Sequence, residues 1–334
     1  MTVSVLIPNY NHAPFLKQRI DSVIDQTFKD YEIIILDDCS TDNSREVLEV
    51  YRHYPKVSHM LFNEQNSGST FKQWNKGVAL AQGKYIWIAE SDDFADPHLL
   101  EKLVAKLETD PEVGIAYCNS LDVDDKNNIR LSDINFYAEL DPVLWTRDFN
   151  RQGIDLVKKF MSYRNIIPNA SAVLLRRQIV QEVGTANVNF RINGDWLYWA
   201  SILAKTKVAY VAEPLNYFRR HTNNVRSTTI LNGTNLVELS RVTEEIQKYG
   251  TPDTYFFDKM IRTIIKMWFD AIIEFNIPLK KHFTIYNTLN RSDKNFWYRF
   301  REEFNNYMLP NNFKGLRRLV KVGILYRLLK RNKN

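Results

Sequence analysis

The sequence predicts an α/β fold: a mostly parallel sheet with helices on both faces, followed by an α-helical C-terminal extension. Apolar runs of strand length alternate with amphipathic helical patterns over the first hundred residues. This order is typical of parallel strands joined by helices. After about Leu231 the pattern becomes wholly helical and rich in aromatic and basic residues. We therefore expect two regions, 1–230 and 231–334.

The apolar pattern places the elements along the chain. Strands are predicted at four positions in the first hundred residues: 3–7, 32–36, 57–62 and 85–89. Amphipathic helices are predicted between them, one of them over 70–81. Three further strands are predicted after residue 100: 113–119, 170–175 and 208–211. Residues 120–150 are polar and are predicted to be irregular, with a role in specificity.

Composition is that of a soluble globular protein, with 44% hydrophobic and 25% charged residues. The net charge of +6 is unevenly distributed. Residues 231–334 carry 19 Lys and Arg against 10 Asp and Glu, whereas residues 1–230 carry 26 against 29. This asymmetry predicts two functional surfaces. A nucleic-acid partner is not expected, because no recognition motif accompanies the basic charge.

Cysteine use and the lengths of the apolar runs predict a cytoplasmic protein, or one attached to the cytoplasmic face of a membrane. Cys39 and Cys118 form no metal or redox motif and fit a reducing compartment. The N-terminal residues lack the features of a signal peptide. No run of ~18 apolar residues is available to span a bilayer as a helix.

The segment IAESDDFADP ends a predicted strand in three acids, Glu90, Asp92 and Asp93. In open α/β sheets, ligands bind at the carboxyl ends of the strands. Carboxylates there suit Mg²⁺ or Mn²⁺, which prefer oxygen ligands and bind through one or two carboxylates plus substrate phosphates. The alternative is an acidic turn that caps the helix beginning near Pro97. From this segment alone both interpretations stay open.

Six segments, in order, resemble those of the family 2 glycosyltransferases, inverting enzymes of the GT-A fold that use nucleotide-diphosphate sugars. The segments are VSVLIPNYNHAPFL, QTFKDYEIIILDDCSTDNS, NSGSTFKQWNKGVALAQGKYI, IAESDDF, NGDWLYW and EPLNYFRRH. They extend over two-thirds of the chain. The resemblance implies a GT-A (Rossmann-like) catalytic domain over 1–230, with the nucleotide-sugar site in about 1–119 and the acceptor side in about 120–230.

The resemblance implies a nucleotide site at the ends of the first two strands. Pro8, Asn9 and Tyr10 follow the first strand and would line the base pocket. Asp38, the second acid after the second strand, would accept a hydrogen bond from uracil N3. From the residues alone, the same positions also fit ordinary turn chemistry, and this alternative applies better to Asp37.

The segment NSGSTFKQWNKG implies further donor contacts from Asn66, Gly68 and Asn75. Many relatives carry an arginine beside that asparagine, and Trp74 occupies its place here. The missing positive charge near the phosphates would come from one of two lysines, Lys72 or Lys76. Each is also compatible with a solvated lysine on a helix.

In the acid cluster, the resemblance implies that Asp93 binds the metal and that Asp92 contacts ribose or metal-bound water. Glu90 replaces the usual aspartate and would bind the donor sugar. The cation, Mn²⁺ or Mg²⁺, would stabilise the charge that develops on the departing diphosphate.

Asp195, in the segment NGDWLYW, is the implied general base. Relatives usually carry Glu-Asp here, and Gly194 replaces the glutamate. A helix N-cap is the alternative role for Asp195. Trp196 and Trp199 are interpreted as core residues, with a stacking face for an acceptor sugar as the alternative.

The segment NYFRRH concentrates positive charge after a strand. Arg219 and Arg220 are expected to bind the diphosphate, because arginine matches phosphate geometry. The resemblance implies that His221 completes the metal shell or touches the phosphates.

Residues 311–334 contain eight Lys or Arg and no acid. One predicted helical face is apolar and the other is basic, which fits a helix lying in the interface of an anionic membrane. A helix packed on the protein or on a partner is the alternative.

Together these features predict an inverting glycosyltransferase of the hexosyl- or N-acetylhexosaminyltransferase type. It would transfer a sugar from a nucleotide-diphosphate sugar, expected to be a UDP-sugar, to a hydroxyl of a glycan or lipid-linked acceptor in bacterial surface polysaccharide synthesis. The alternatives are a catalytically inactive sugar-nucleotide-binding or scaffold protein and a nucleotidyltransferase. The latter needs a Gly-rich, basic phosphate loop, which PNYNHAPF lacks.

Overall fold

The computed structural model describes residues 1–130, 136–220, 229–275 and 277–309. These residues pack as two compact units. The first contains the described residues of 1–157, 165–189 and 194–222, and the second those of 158–164, 190–193 and 223–334. The second unit thus includes two short stretches that precede the boundary expected near residue 230.

The first four strands of the first unit alternate with helices, as the hydrophobic pattern predicts. The elements are β1 (Val3–Asn9), α1 (Ala13–Ile24), β2 (Tyr31–Asp37), α2 (Ser44–Glu49), β3 (Val57–Phe62), α3 (Thr70–Leu80) and β4 (Tyr85–Ile88). β1, β2 and β4 are buried along their whole length, as expected for parallel strands covered on both faces. A Cβ at Gly83 would lie 2.6 Å from the Ser4 nitrogen, so glycine is required where the chain passes β1.

The following elements combine shorter strands and helices. They are β5 (Phe94–Ala95), α4 (Leu99–Thr109), β6 (Val113–Val123), β7 (Ile129–Arg130), a 3₁₀ turn (Leu144–Thr146), β8 (Phe149–Gln152), α5 (Gly153–Phe160), a second 3₁₀ turn (Ala170–Ala172), β9 (Val173–Arg176), α6 (Arg177–Val183), α7 (Gly194–Leu203) and β10 (Lys207–Arg219).

Among the described residues, ten strands form one mixed sheet, with the central order β3-β2-β1-β4-β9-β6-β10-β5. β7 pairs with β6, and β8 with β10. The pairs β2–β3, β1–β2, β1–β4 and β6–β10 are parallel. β9 runs antiparallel between β4 and β6. The expected fold class, an α/β protein with a mostly parallel sheet and a helical C-terminal region, is confirmed.

Two strands after residue 113 are longer than the sequence pattern predicts. β6 continues to Val123 and β10 extends from Lys207 to Arg219, because the two strands pair in parallel as far as Val123 and Arg219. The register shifts on both sides of Pro214, which has no N–H to donate to the ladder. The stretch 120–150 is therefore not wholly irregular: it contains the end of β6, the strand β7 and the start of β8.

The second unit is helical in its described part. Its helices are α8 (Thr234–Ile246), α9 (Thr254–Glu274), α10 (Leu279–Ser292) and α11 (Phe296–Glu303), followed by a short π-helical segment (Phe304–Met308). The Asp253 side chain caps α9 by accepting from the Phe256 nitrogen. Within the described ranges, no helix has the length and apolarity needed to cross a bilayer.

Candidate active site

The candidate site lies where three neighbouring parallel strands end. β1 is flanked by β2 and β4, with Asn9 opposite Asp37 and Leu6 opposite Ile88. The loop after β1, the acids after β2 and the segment 89–93 after β4 therefore share one edge of the sheet. This is the edge at which open α/β sheets bind ligands.

Asp93 is buried beneath this edge, at 1% exposure. Its Oδ1 accepts a hydrogen bond from the backbone N–H of Arg219 at 2.9 Å. Its Oδ2 is buried without a hydrogen-bond partner and lies 4.0 Å from Nη2 of Arg19. Burial raises the pKa of the Asp93 carboxyl, and the negative charge of Asp92 raises it further. Two adjacent carboxylates, the buried one of Asp93 and the partly exposed one of Asp92, are a donor set that suits a hard divalent cation.

The protein would supply few ligands to such a cation. In the described part of the chain, no three His, Cys, Asp or Glu side chains are grouped as a metal site. Mg²⁺ and Mn²⁺ sites in nucleotide-binding enzymes often use one or two carboxylates and take the remaining ligands from substrate phosphates and water. The acids of the IAESDDF segment fit this arrangement.

Two buried arginines lie behind the acids. Arg19 is fully buried, and its Nε donates to the backbone oxygen of Glu90 at 2.8 Å. Its Nη1 and Nη2 have no hydrogen-bond partner. Burial lowers the pKa of Arg19 to about 10, so the side chain remains a cation at neutral pH and offsets part of the negative charge of Asp93 and Asp92.

Arg219 occupies a different place from the one expected from the sequence. It is 3% exposed, and its guanidinium donates to four acceptors, namely the backbone oxygens of Asp92 (2.8 Å) and Asp124 (2.6 Å) and the side-chain oxygens of Gln18 (3.0 Å) and Asn127 (2.7 Å). A guanidinium engaged in this way is not presented to a diphosphate. It instead fixes the backbone of the acid cluster.

Arg220 differs from its neighbour. Its Nε donates to Asp122 Oδ2 at 2.8 Å, and the side chain is 34% exposed. Arg220 is thus the member of the pair that has solvent-accessible surface for a ligand. The expected role of His221 lies outside the described residues.

Glu90 and Trp74 form a pair that sequence reasoning treated as two separate departures from the family pattern. Trp74 Nε1 donates to Glu90 Oε1 at 2.7 Å. The indole also packs against the rings of Tyr198 and Trp199, at centroid distances of 6.4 and 5.7 Å. Desolvation, together with the charge of Asp92, raises the pKa of Glu90 to about 8.

Asp38 is 5% exposed and organises the loop that follows β3. Its Oδ1 accepts from Asn63 Nδ2, the Ser67 nitrogen and Gln73 Nε2 at 2.6–2.9 Å. Its Oδ2 accepts from the Ser67 hydroxyl at 2.8 Å. A base N–H would therefore have to exchange with one of these donors in order to reach Asp38.

The other predicted contacts in this loop are also engaged. Asn66 Nδ2 donates to the Asp38 backbone oxygen at 3.1 Å, and Asn66 Oδ1 accepts from the nitrogen of Gly68, whose φ of +71° favours glycine. Lys72 Nζ donates to the Ser67 oxygen at 3.0 Å. Asn75 bonds in both directions to the Ala186 backbone, so its amide holds a different segment.

The residues at the carboxyl end of β1 and directly after it have unequal access to a ligand. Pro8 is buried within β1. Asn9 is 3% exposed and donates to Asp37 Oδ1 at 2.6 Å, while its own Oδ1 is buried without a partner. Tyr10 is 44% exposed and is the side chain of this group most available for stacking.

Asp195 is the second residue of α7. Asn165 Nδ2 donates to Asp195 Oδ2 at 3.0 Å, and Asn165 Oδ1 accepts from the Ile167 nitrogen. The Asn165 side chain is therefore fixed to the backbone through its oxygen and holds the Asp195 carboxylate through its nitrogen. Trp196 and Trp199 are buried, as expected for core residues.

Sequence reasoning missed three residues that the fold brings to the site. Arg19 and Asn165 lie in no motif associated with this chemistry. His12 belongs to the first motif, and its Nδ1 lies 2.8 Å from the Ser91 hydroxyl in the acid segment. An arginine on the otherwise apolar face of α1 was the available signal, since a buried arginine is costly and therefore indicates a partner such as a carboxylate.

Comparison with known proteins identifies glycosyltransferases as similar sequences. The sequence model described as glycosyl transferase family 2 matches residues 4–184. A glycosyltransferase of Nostoc sp. is 32% identical over 231 residues, which are 67% of this chain and 66% of that protein. TuaG of Bacillus subtilis, a glycosyltransferase named for teichuronic acid biosynthesis, is 39% identical over 100 residues, which are 30% of this chain and 39% of that protein. The chain thus spans less than two thirds of either relative.

Two solved structures share the fold. Staphylococcus aureus TarS 1–349 in complex with UDP-GlcNAc has a TM-score of 0.64 at 14% identity, covering 94% of this chain and 95% of that one. The mannosyltransferase PcManGT of Pyrobaculum calidifontis, in complex with GDP-Man and Mn²⁺, has a TM-score of 0.56 at 14% identity, covering 90% and 83%. With the family match over more than half of its length, the chain belongs to glycosyl transferase family 2.

Proposed function

We propose that this chain is an inverting, metal-dependent glycosyltransferase that moves a hexosyl or N-acetylhexosaminyl group from a UDP-sugar to a hydroxyl of a glycan or lipid-linked acceptor. The observation that carries the proposal is the adjacent pair of carboxylates, Asp93 and Asp92, at the carboxyl edge of β4, where Asp93 Oδ2 forms an ion pair with Arg19 at 4.0 Å but has no hydrogen-bond partner. TarS in complex with UDP-GlcNAc supports a uridine nucleotide, and PcManGT with GDP-Man and Mn²⁺ supports a divalent cation.

In the proposed reaction, Asp195 accepts the proton of an acceptor hydroxyl while the oxygen attacks the anomeric carbon. The bond from the anomeric carbon to the diphosphate oxygen breaks on the opposite face, and its electron pair leaves with the nucleoside diphosphate. Asn165 holds the carboxylate of Asp195 in one orientation. A divalent cation bound at Asp93 and Asp92 would stabilise the negative charge of the leaving group.

The remaining assignments belong to the same proposal. Arg220 and Lys72 would lie near the diphosphate, Tyr10 and Asn9 near the base, and Glu90 near the donor sugar. A role in surface polysaccharide synthesis is supported by the name of TuaG. Binding of the basic residues 311–334 to an anionic membrane, at its cytoplasmic face, is supported by their sequence alone.

The test is a panel of UDP- and GDP-sugars incubated with the purified protein, in which release of the nucleoside diphosphate is measured with Mn²⁺, with Mg²⁺ and with EDTA. We expect release from at least one UDP-sugar with a cation and its loss in EDTA. Asp93→Ala should abolish the cation-dependent rate and weaken donor binding. Full turnover in EDTA would remove the metal from the proposal, and binding without release would favour a sugar-nucleotide-binding protein.

A further inference from the structure

Glu238, on α8 in the second unit, is a buried carboxylate that accepts hydrogen bonds from the backbone. It is 3% exposed. Its Oε1 accepts from the Arg191 nitrogen at 2.5 Å, and its Oε2 accepts from the nitrogens of Ile192 and Asn193 at 3.1 and 3.0 Å. The Asn193 side chain adds a contact of 3.4 Å to the same oxygen. Three consecutive backbone amides thus converge on one carboxylate.

These hydrogen bonds fix the backbone conformation of residues 191–193. Three successive N–H groups that point to one centre form an anion-binding concavity, and here the anion is a side chain of the protein itself. Hydrogen bonds to an ionised carboxylate are roughly twice as strong as those between neutral groups. A second contact, from Asn193 Nδ2 to Asn235 Oδ1 at 3.1 Å, joins the same segment to the start of α8.

This segment leads directly to the proposed base. Asn193 is followed in the chain by Gly194 and Asp195, the first two residues of α7. Two peptide units separate the last clamped amide from the Asp195 carboxylate-bearing carbon, so the path of residues 191–193 sets where α7 begins. Gly194, which has no side chain, offers little restraint of its own at this point.

We infer that Glu238 is a positioning residue for Asp195: its carboxylate fixes residues 191–193, and thereby the start of α7 that carries the proposed base. The inference rests on the proposed function and assigns a role in transfer to the helical C-terminal region. Asn165 orients the carboxylate through its side chain, while Glu238 acts through the main chain. A displacement of about 1 Å at a reacting group can cost about 10²-fold in rate.

The test is a double-mutant cycle on the full chain. Glu238→Gln keeps the size of the side chain but removes its charge and one acceptor oxygen. We expect kcat for transfer to fall between about tenfold and a hundredfold, with little change in KM for the sugar nucleotide. Because Glu238 acts through Asp195, the same substitution in an Asp195→Asn background should change the residual rate by less than about twofold. Glu245→Gln, on the exposed side of the same helix, is the matched control and should leave kcat unchanged.

Each outcome decides the inference. An unchanged kcat in Glu238→Gln, or an equal loss in both backgrounds, overturns it, because a general loss of packing would not depend on Asp195. If Glu238→Gln does not fold by circular dichroism, Glu238→Asp, which keeps the charge, takes its place in the cycle. Failure of both variants to fold would make Glu238 a purely structural residue. If Asp195→Asn transfers sugar at the wild-type rate, Asp195 is not the base and the proposed function is contradicted. This outcome differs from a failure of the Glu238 inference alone, in which Asp195→Asn is impaired but Glu238→Gln is not.

Discussion

Trp74 donates its indole N–H to Glu90 Oε1 at 2.7 Å, which links the two positions at which the donor-site motifs depart from the family pattern. From the sequence alone, Trp74 is a replacement of the usual arginine and Glu90 is a replacement of the usual aspartate, with no link between them. In the structure they are one unit, because the longer carboxylate reaches the donor that the tryptophan supplies. Trp74 also packs on Trp199 of α7, so the pair lies next to the helix that carries Asp195.

The Trp74–Glu90 bond predicts the effect of Trp74→Phe. Phenylalanine keeps an aromatic ring against Tyr198 and Trp199 but removes the N–H, which leaves a partly buried carboxyl oxygen without its donor. Such a loss costs about 1–3 kcal/mol. If Glu90 binds the donor sugar, we expect kcat/KM for the sugar nucleotide to fall about tenfold or more, while the Kd for UDP alone stays near the wild-type value. Equal losses for both ligands would place the pair at the nucleotide instead.

The raised pKa of Glu90 predicts how stability depends on pH. In the folded protein the pKa is about 8, above the ordinary value of 4.5, so between these values the folded state holds a proton that the unfolded state has released. Stability from this group is therefore greatest below the ordinary pKa and falls as pH rises toward 8. We expect the urea midpoint of the metal-free protein to fall more steeply between pH 5 and pH 8 in the wild type than in Glu90→Gln. Parallel pH profiles would contradict the raised pKa.

How much of the site follows from the sequence depends on the kind of contact. The strand-end positions of Asp38 and Asp93 follow from local hydrophobic patterns and motif order, and the structure places both at one edge of the sheet. The two arginines of NYFRRH look equivalent in sequence, yet Arg219 is buried as the last residue of β10, whereas Arg220 follows the strand and is partly exposed. Asn165 lies 30 residues from Asp195 in the chain, a separation that no local pattern encodes.

The strands after residue 113 illustrate the same limit. β10 continues past Pro214 because β6 pairs with it on one side, and such long-range pairing is absent from any window of sequence. Residues 120–123 alternate polar and apolar side chains, and the polar residues that follow them led to the prediction of an irregular stretch.

The different placements of Arg219 and Arg220 predict different mutant behaviour. Arg219→Lys replaces a planar group that donates to four acceptors with a single ammonium that cannot reach them all. We expect a loss of stability of roughly 1–3 kcal/mol in chemical denaturation, because buried acceptor oxygens lose their donors. Arg220→Lys should keep the wild-type midpoint. If Arg219→Lys has wild-type stability but binds UDP more weakly, this result would indicate that Arg219 contacts the diphosphate.

The basic segment predicts an interaction that salt should weaken. A variant ending at Pro310 should bind the sugar nucleotide as the full chain does but should no longer sediment with anionic liposomes. The attraction of the full chain is expected to decline between about 0.01 and 0.15 M salt, over which the Debye length falls from about 30 to about 8 Å. Neutral liposomes provide the control. If the full chain does not sediment with anionic liposomes at low salt, the membrane assignment fails.

The central claim, that Asp195 is the general base of a glycosyl transfer, is tested most directly by Asp195→Asn. Asparagine retains the size of the side chain and can still pair with Asn165 through its carbonyl oxygen, so the fold should survive. We expect sugar transfer to fall about 10²- to 10⁴-fold, the usual contribution of general acid–base catalysis, with the Kd of the sugar nucleotide unchanged. Transfer at the wild-type rate by a folded Asp195→Asn protein would contradict the account and move the base to another acid.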